Sequence, residues 1–243
     1  MAFDPLVEIR MQRRDFLASS IALALALAGA AGRPVLAAVA SDEAARARAL
    51  YDAIFDEILA VSPQRVTSLG LDVGPRAPAR SRLNDRTATG RMGPLGPLAA
   101  AWPRLQSIDA ARLTGRDRSD FATVAWVSSI SREIAAQPFG TVDSYDYPVP
   151  YVVSQLTGAY QSTPDFLVTR HPVENAADAE AYLARLEAFA AQVRGDTARA
   201  RDDLARGLVP PDFVADKTLA QLRLLRGQSG AESRLTQSIV ART

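Results

Sequence analysis

The 243-residue chain contains no cysteine and one histidine, His171. The first absence excludes disulfides, so stability must come from burial. The second excludes a self-contained zinc site, because such sites draw on cysteine, histidine and carboxylates, usually with two or more His or Cys. A Ser-His-Asp triad has only His171 to use, and no Gly-x-Ser-x-Gly elbow accompanies it. Lysine is nearly absent: Lys217 stands alone among the arginines. Charge of one sign is also missing. The whole chain carries 28 basic and 27 acidic residues, and 24 of each remain from residue 41 onward. Nothing in that balance marks a nucleic-acid surface. Long hydrophobic runs are missing too. The longest, from Ala18 to Ala31, is about 14 residues, against roughly 20 for a spanning helix.

What the first forty residues do contain is an export signal. Arg13 and Arg14 are followed by Asp15, Phe16 and Leu17, then by the Ala- and Leu-rich run, then by the Arg33-Pro34 break and small residues. That order is a secretory signal, and the arginine pair is of the twin-arginine kind. Ala38-Val39-Ala40 offers cleavage after Ala40, and Val35-Leu36-Ala37 is a second candidate. A retained anchor is the competing reading, but the run is short and mostly alanine. The expected organisation is therefore a signal over 1–40 and a helical portion over 41–243. The location is periplasmic or secreted, with no stable membrane span after cleavage.

The remaining residues, about 200, have room for one domain with a real core. Ser41 reads as a helix cap, with Asp42 and Glu43 in the first turn. Leu50, Tyr51, Ile54, Phe55, Ile58 and Leu59 recur at three- and four-residue spacing, the mark of one wide apolar helix face. Ser62-Pro63 stops that helix. Thr67 to Gly70 reads as a short link and Leu71 to Pro97 as a long surface loop, rich in Gly, Pro and Arg. The arginines between Arg76 and Arg86 belong to that flexible loop. A second helix covers Leu98 to Ile108, with Pro103 in its first turn or at a kink. Thr114 and Asp117 resemble a capping box before a helix over Arg116 to Ala136, whose apolar residues run far enough round to make it central.

Pro138 to Thr163 is irregular and holds Tyr145, Tyr147, Tyr151 and Tyr160, four of the six tyrosines. Thr163-Pro164 reads as the next helix start. The strongest helix runs from Asn175 to Arg206, with Asn175 as cap, Gly195 as a weak point and Gly207 as terminator. Along it, Asp202-Asp203 with Arg199 and Arg201 read as a solvated face. Pro210-Pro211 opens a helix to Arg226 with Val214, Thr218, Leu222 and Leu225 inward. A last piece places Leu235, Ile239 and Val240 on one face with no evident partner, which suggests a truncated chain. No strand alternation and no repeat appear. The expected fold is all-α, an irregular helical bundle with long loops, preceded by a signal-peptide helix.

His171 precedes a helix in Arg170-His171-Pro172. As a general base it needs an orienting carboxylate, for which Asp165 or Glu174 could serve. With no second catalytic group recognisable, a locally bonded loop histidine is the favoured reading. The tyrosines pair apolar area with polar tips. Core packing under a loop is the simpler account of them, and a substrate groove is the functional one. On the second account Tyr147, Tyr151, Gln155 and His171 are the substrate-contact candidates. No catalytic or metal-ligating residue is identified.

Several segments, in order, carry a resemblance. They are Ser62-Pro63 with Thr67-Ser68-Leu69-Gly70, then Arg118-Ser119-Asp120-Phe121, then Pro150-Tyr151-Val152-Val153-Ser154-Gln155-Leu156. Tyr182-Leu183-Ala184-Arg185-Leu186 follows, then Gly207-Leu208-Val209-Pro210-Pro211 with Thr218-Leu219-Ala220-Gln221-Leu222. Together they resemble the start of a secreted bacterial family catalogued as domain of unknown function 885. Members of that family are longer and carry a later His-Glu-x-x-Pro-Gly-His-His motif, similar to the His-Glu-x-x-His arrangement of zinc peptidases. No His-Glu pair occurs in this chain. The resemblance therefore implies a zinc-dependent, peptidase-like parent. This chain would be its N-terminal portion, without metal or catalytic residues of its own. Its implied partners are the missing C-terminal half and a peptide substrate. The alternative is a non-enzymatic periplasmic helical module that binds a partner or ligand.

Overall fold

The computed structural model describes residues 34–143 and 146–243, with side chains from residue 42 onward. Arg13, Arg14, the apolar run and Tyr145 lie outside the described residues. Helix α1 spans Pro34–Val61, and residues from Val39 to Thr243 make up one unit. The expected cap at Ser41 is corrected, because the helix passes through that residue. Glu43 does other work: it is buried, accepts the Asp109 N–H at 2.7 Å and pairs with Arg46.

The apolar face read in α1 is real. Ala44 and Ala47 pack with Ile108 and Leu113, and Ile54 packs with Ala101 and Leu105. Ala101 lies between α3 (Leu95–Ala100) and α4 (Trp102–Gln106), Leu105 lies in α4, and Ile108 and Leu113 follow it. The expected single helix over Leu98 to Ile108 is thus two short ones, with Pro103 in the first turn of α4, where its missing N–H costs nothing.

Helix α5 (Gly115–Ala136) is corrected from central to peripheral. Its fully buried residues are Ser128 and Ser131, while Trp126 is 65% exposed. Small serines let its backbone approach α3, and the Ser128 hydroxyl donates to the Leu98 carbonyl at 2.7 Å. Thr114 makes no side-chain cap; Asp117 instead receives two bonds from Arg48.

The second layer contains α6 (Ala159–Thr169), α7 (Ala176–Ala205) and α9 (Arg234–Val240), with α8 (Asp212–Gly227) between the last two in sequence. Helix α6 starts five residues before the expected Pro164, which lies inside it, and Thr163 is buried against Gln192 at 2.5 Å. Asn175 and Gly207 end α7 as expected. The Asn175 side chain accepts the Asp178 N–H, and Gly207 takes φ 86°. The α9 face does have a partner in this chain: Leu235 and Ile239 pack against Phe166, Leu167 and Tyr182, although Val240 is exposed. The irregular region contains a short antiparallel ribbon, β1 (Thr141–Val142) with β2 (Pro148–Val149), which the sequence did not announce.

Two expectations fail together, and for one reason. Leu71 to Pro97 is not a loose loop. Thr67 and its neighbours belong to α2 (Pro63–Ser68), and Gly74–Ser81 forms 3-10 turns. The segment 71–87 then lies as a strap along α7. Nor is the Arg199–Asp203 stretch of α7 simply solvated. Positions 178, 182, 185, 189, 192, 196, 199 and 203 alternate by four and three, the seam of a helix facing a neighbour. The seam holds Asp178, Arg185, Gln192, Asp196, Arg199 and Asp203, all buried, while Arg201 and Asp202 face out.

The seam binds the strap by its backbone and its arginines. Arg185 donates to the carbonyls of Arg82 and Ala79 at 2.9 Å each, and Gln192 donates to that of Asn84 at 2.7 Å. Asp178 and Asp72 hold Arg80, and Asp196 holds Arg86. Burial lowers the Arg185 and Arg199 guanidinium groups to about 10, so both stay charged at neutral pH.

Gly195 follows from this contact. A Cβ there would stand 3.0 Å from the Arg86 carbonyl oxygen and 3.1 Å from its carbon. Elsewhere in a helix, alanine gains about 1 kcal/mol over glycine. Gly195→Ala is expected to reverse that sign and lose about 1–2 kcal/mol, because the strap backbone is pinned and cannot yield. Gly227→Ala, where the space is open, is expected to be neutral or better. Urea midpoints of the two variants check the contrast.

Candidate functional site

The residues from Tyr151 to Thr157 form no helix or strand, yet they are tightly held. Ser154 and Thr157 exchange backbone bonds at 3.0 and 3.3 Å, and their hydroxyls meet at 2.8 Å. The Thr157 hydroxyl also reaches the Tyr151 carbonyl, and Tyr160 donates to the Ser154 carbonyl at 2.7 Å. Gly158 turns the chain into α6 with φ 124°, and the Asp196 carboxylate accepts the Ala159 N–H at 2.6 Å. Asp196 therefore serves both the strap and this loop. Burial pushes the Tyr160 hydroxyl up to about 12, so it stays protonated and able to donate.

This loop forms one side of a groove of about 260 Å³. Tyr151, Val152 and Val153 line that side. Leu204 at the end of α7, Leu208 in the turn after it, and the α8 residues Val214, Thr218 and Leu219 line the other. The lining is mostly apolar, with Asp203 as its charged member. Leu204, Val209, Phe213 and Leu219 are exposed around it. Such a groove suits an apolar ligand segment. It offers no nucleophile paired with a base, and so no evident chemistry of its own.

Of the four substrate-contact candidates, the structure puts Tyr151 in the groove. Tyr147 is 67% exposed at the ribbon. Gln155 is partly buried; its carbonyl accepts from Gln161, and its side-chain oxygen has no hydrogen-bond partner. His171 is 2% exposed and does not line the groove. Neither Asp165 nor Glu174 orients it. Its Nε2 bonds the Asp178 carbonyl at 3.0 Å and its Nδ1 accepts from Arg185 at 2.6 Å. The α8 lining was partly readable, since Val214 and Thr218 fall on the inward face. Leu204 falls in the apolar three-four rhythm of α7, but nothing in the sequence brings it or Leu208 to Tyr151.

The donor set does not fit the zinc that the resemblance implies. Both nitrogens of the lone histidine are engaged, and no three His, Asp or Glu side chains gather to hold a metal among the described residues. Among those residues, too, no helix is long and apolar enough to cross a membrane.

Tyr160 connects the loop to the helices, its single hydroxyl proton shared between the Ser154 carbonyl and the Gln221 side-chain oxygen at 2.6 Å. Tyr160→Phe removes the shorter of the two bonds to the Ser154 carbonyl, leaving it only the Thr157 N–H at 3.3 Å. It is expected to cost about 1–2 kcal/mol in urea unfolding and to raise protease cleavage within 151–157.

The comparisons with known proteins bear on the whole architecture. The family model described as "Bacterial protein of unknown function (DUF885)" matches residues 63–243. The crystal structure of the "putative lipoprotein" from Colwellia psychrerythraea aligns with a TM-score of 0.70 at 15% identity. The alignment covers 82% of this chain and 34% of that one, so this chain spans about a third of that protein's length. At that identity the likeness speaks for the fold alone. No curated protein matches the chain. With the match running through both helical layers, the strap and the groove, the chain belongs to the DUF885 family.

Proposed function

We propose that this chain is the helical, ligand-gripping portion of an exported hydrolase-like protein, and that it is inactive alone. The carrying observation is an apolar groove of about 260 Å³ with no metal-binding cluster among the described residues. In this reading the groove forms one wall of a substrate channel. The channel takes an apolar stretch of peptide, and Tyr151 supplies both ring area and a polar tip at its edge. Peptidase-type chemistry, with zinc, belongs to residues outside this chain. The resemblance to a family with a later His-Glu-x-x-Pro-Gly-His-His motif supports this, as does the greater length of the aligned lipoprotein, of which the alignment covers 34%. The arginine pair Arg13-Arg14 supports export.

A second reading, a non-enzymatic periplasmic binding module, is favoured by the same groove if no catalytic portion exists. DNA downstream of codon 243 separates the two: a remnant encoding the histidine-rich motif supports the first, and a clean stop without one supports the second.

The purified 243-residue chain is expected to hold far less than one zinc per molecule by emission spectrometry and to leave a peptide library uncut. Stoichiometric tight zinc with turnover would overturn the proposal. A fluorescent leucine-rich peptide is expected to bind the chain, and Leu219→Glu to weaken that binding at least roughly tenfold, since burying one leucine is worth about 1.5–3 kcal/mol. Equal binding to both forms would remove the groove from the proposal.

A further inference from the structure

His171 is the chain's one histidine, and there is no cysteine. It is therefore the one side chain here whose ordinary titration falls between about pH 5 and 8. The structure puts it at the point where strap, α2 and α7 meet. Arg185 is fully buried and carries no direct carboxylate partner. Its guanidinium is held by the Arg82 and Ala79 carbonyls, the Thr67 hydroxyl at 2.7 Å and Nδ1 of His171 at 2.6 Å. A guanidinium has no acceptor, so Nδ1 must be bare and the ring proton must sit on Nε2, facing the Asp178 carbonyl.

The charges around the ring are arranged against a second proton. From α7, Arg185 abuts it directly, and Tyr182 meets it edge-on at 5.5 Å. From the end of α9, Arg242 donates to the His171 carbonyl at 2.7 Å and lies over the Tyr182 ring. From α6, Phe166 stacks under Arg185 and supplies the carbonyl for the His171 N–H. The carboxylates that would favour protonation are occupied. Asp178 is taken by Arg80, Asn175 and the Glu174 N–H, and Asp72 is taken by Arg80. Burial is the main cause that holds the imidazole below its ordinary value of about 6.5; the two arginines add to it, against the opposing Asp178 carbonyl bond and charge.

We propose that His171 is an acid-operated latch: a proton on Nδ1 expels Arg185 from its seat and frees Thr67 and the Ala79–Arg82 stretch of the strap, while the helical layers stay folded. The proton removes the acceptor for Arg185 and sets two cations at hydrogen-bond distance. The opening is local because the remaining strap anchors, Arg80 on Asp178, Arg86 on Asp196 and Gln192 on Asn84, do not pass through the imidazole. The direction follows from linkage. The released ring binds its proton near pH 6.5 and the seated ring only at lower pH. The latch is therefore fully closed above about pH 6.5 and loosens as pH falls below it, the opening constant rising by up to roughly tenfold per pH unit.

The test is hydrogen exchange on the 243-residue chain from pH 7.5 to 4.5, corrected for the intrinsic pH dependence of exchange. In the wild type, protection of 67–82 is expected to fall at least roughly tenfold while α8 is unchanged. His171→Gln keeps an acceptor for Arg185 and a donor for Asp178 but does not titrate, and its strap protection is expected to be flat. The same fall in both forms, or simultaneous loss across the wild-type chain, overturns the latch. If the variant does not fold, the single imidazole signal in wild-type NMR decides. Its titration midpoint must coincide with the loss of strap protection, and a separate midpoint overturns the proposal.

Discussion

The buried guanidinium of Arg185 is the contact on which the two halves of the helical unit depend. It collects two backbone carbonyls of the strap, a hydroxyl of α2 and a ring nitrogen of the α6–α7 turn into one set of bonds. A buried charge without such partners would cost several kcal/mol. Here the strap's own backbone provides them, so the charge and the irregular segment satisfy each other. The rest of the seam repeats the arrangement at Gln192 and Asp196, and Asp196 carries it on to the loop beside the groove. Groove shape and strap position are in this way parts of one polar network.

The helices were legible where apolar periodicity or cap chemistry announced them. The α1 face, the Asn175 and Gly207 ends of α7 and the Pro-Pro start of α8 all depend on local rules. The strap was not legible, because Arg, Gly and Pro between Leu71 and Pro97 also describe an exposed loop. The α7 seam was hidden for a related reason. A stripe of Asp, Arg and Gln at four-three spacing has the right period and the wrong polarity, and hydrophobic patterning reads it as solvent-facing. The α5 error is the converse. Val124, Trp126, Val127 and Ile130 suggested a central helix, but close approach to α3 runs through Ser128 and Ser131, which leaves Trp126 exposed and the other three only partly buried.

The candidate site was visible only in part. Tyr151 was found by composition, as a tyrosine in an irregular region. Its partners across the groove come from the α7–α8 turn, more than fifty residues later, and no local signal pairs the two. His171 attracted notice as the lone titratable residue of its kind. Its environment, with a cation on one ring nitrogen and a carbonyl on the other, is set wholly by tertiary contacts. Membership in DUF885 and the fold shared with the Colwellia lipoprotein agree with the helical architecture. Any chemistry has to be argued from the site, where the described residues form a mostly apolar groove.

The polar character of the strap interface also governs how its opening would register in bulk measurements. Heat capacity and denaturant sensitivity both scale chiefly with the surface newly exposed, and the heat-capacity term is dominated by apolar area. Lifting the strap would uncover carbonyls, guanidinium groups and carboxylates together with one small apolar cluster, Leu59, Val66, Leu71 and Ala79. The two kinds of surface change heat capacity with opposite sign, so calorimetry would register the freed segment less strongly than its area suggests.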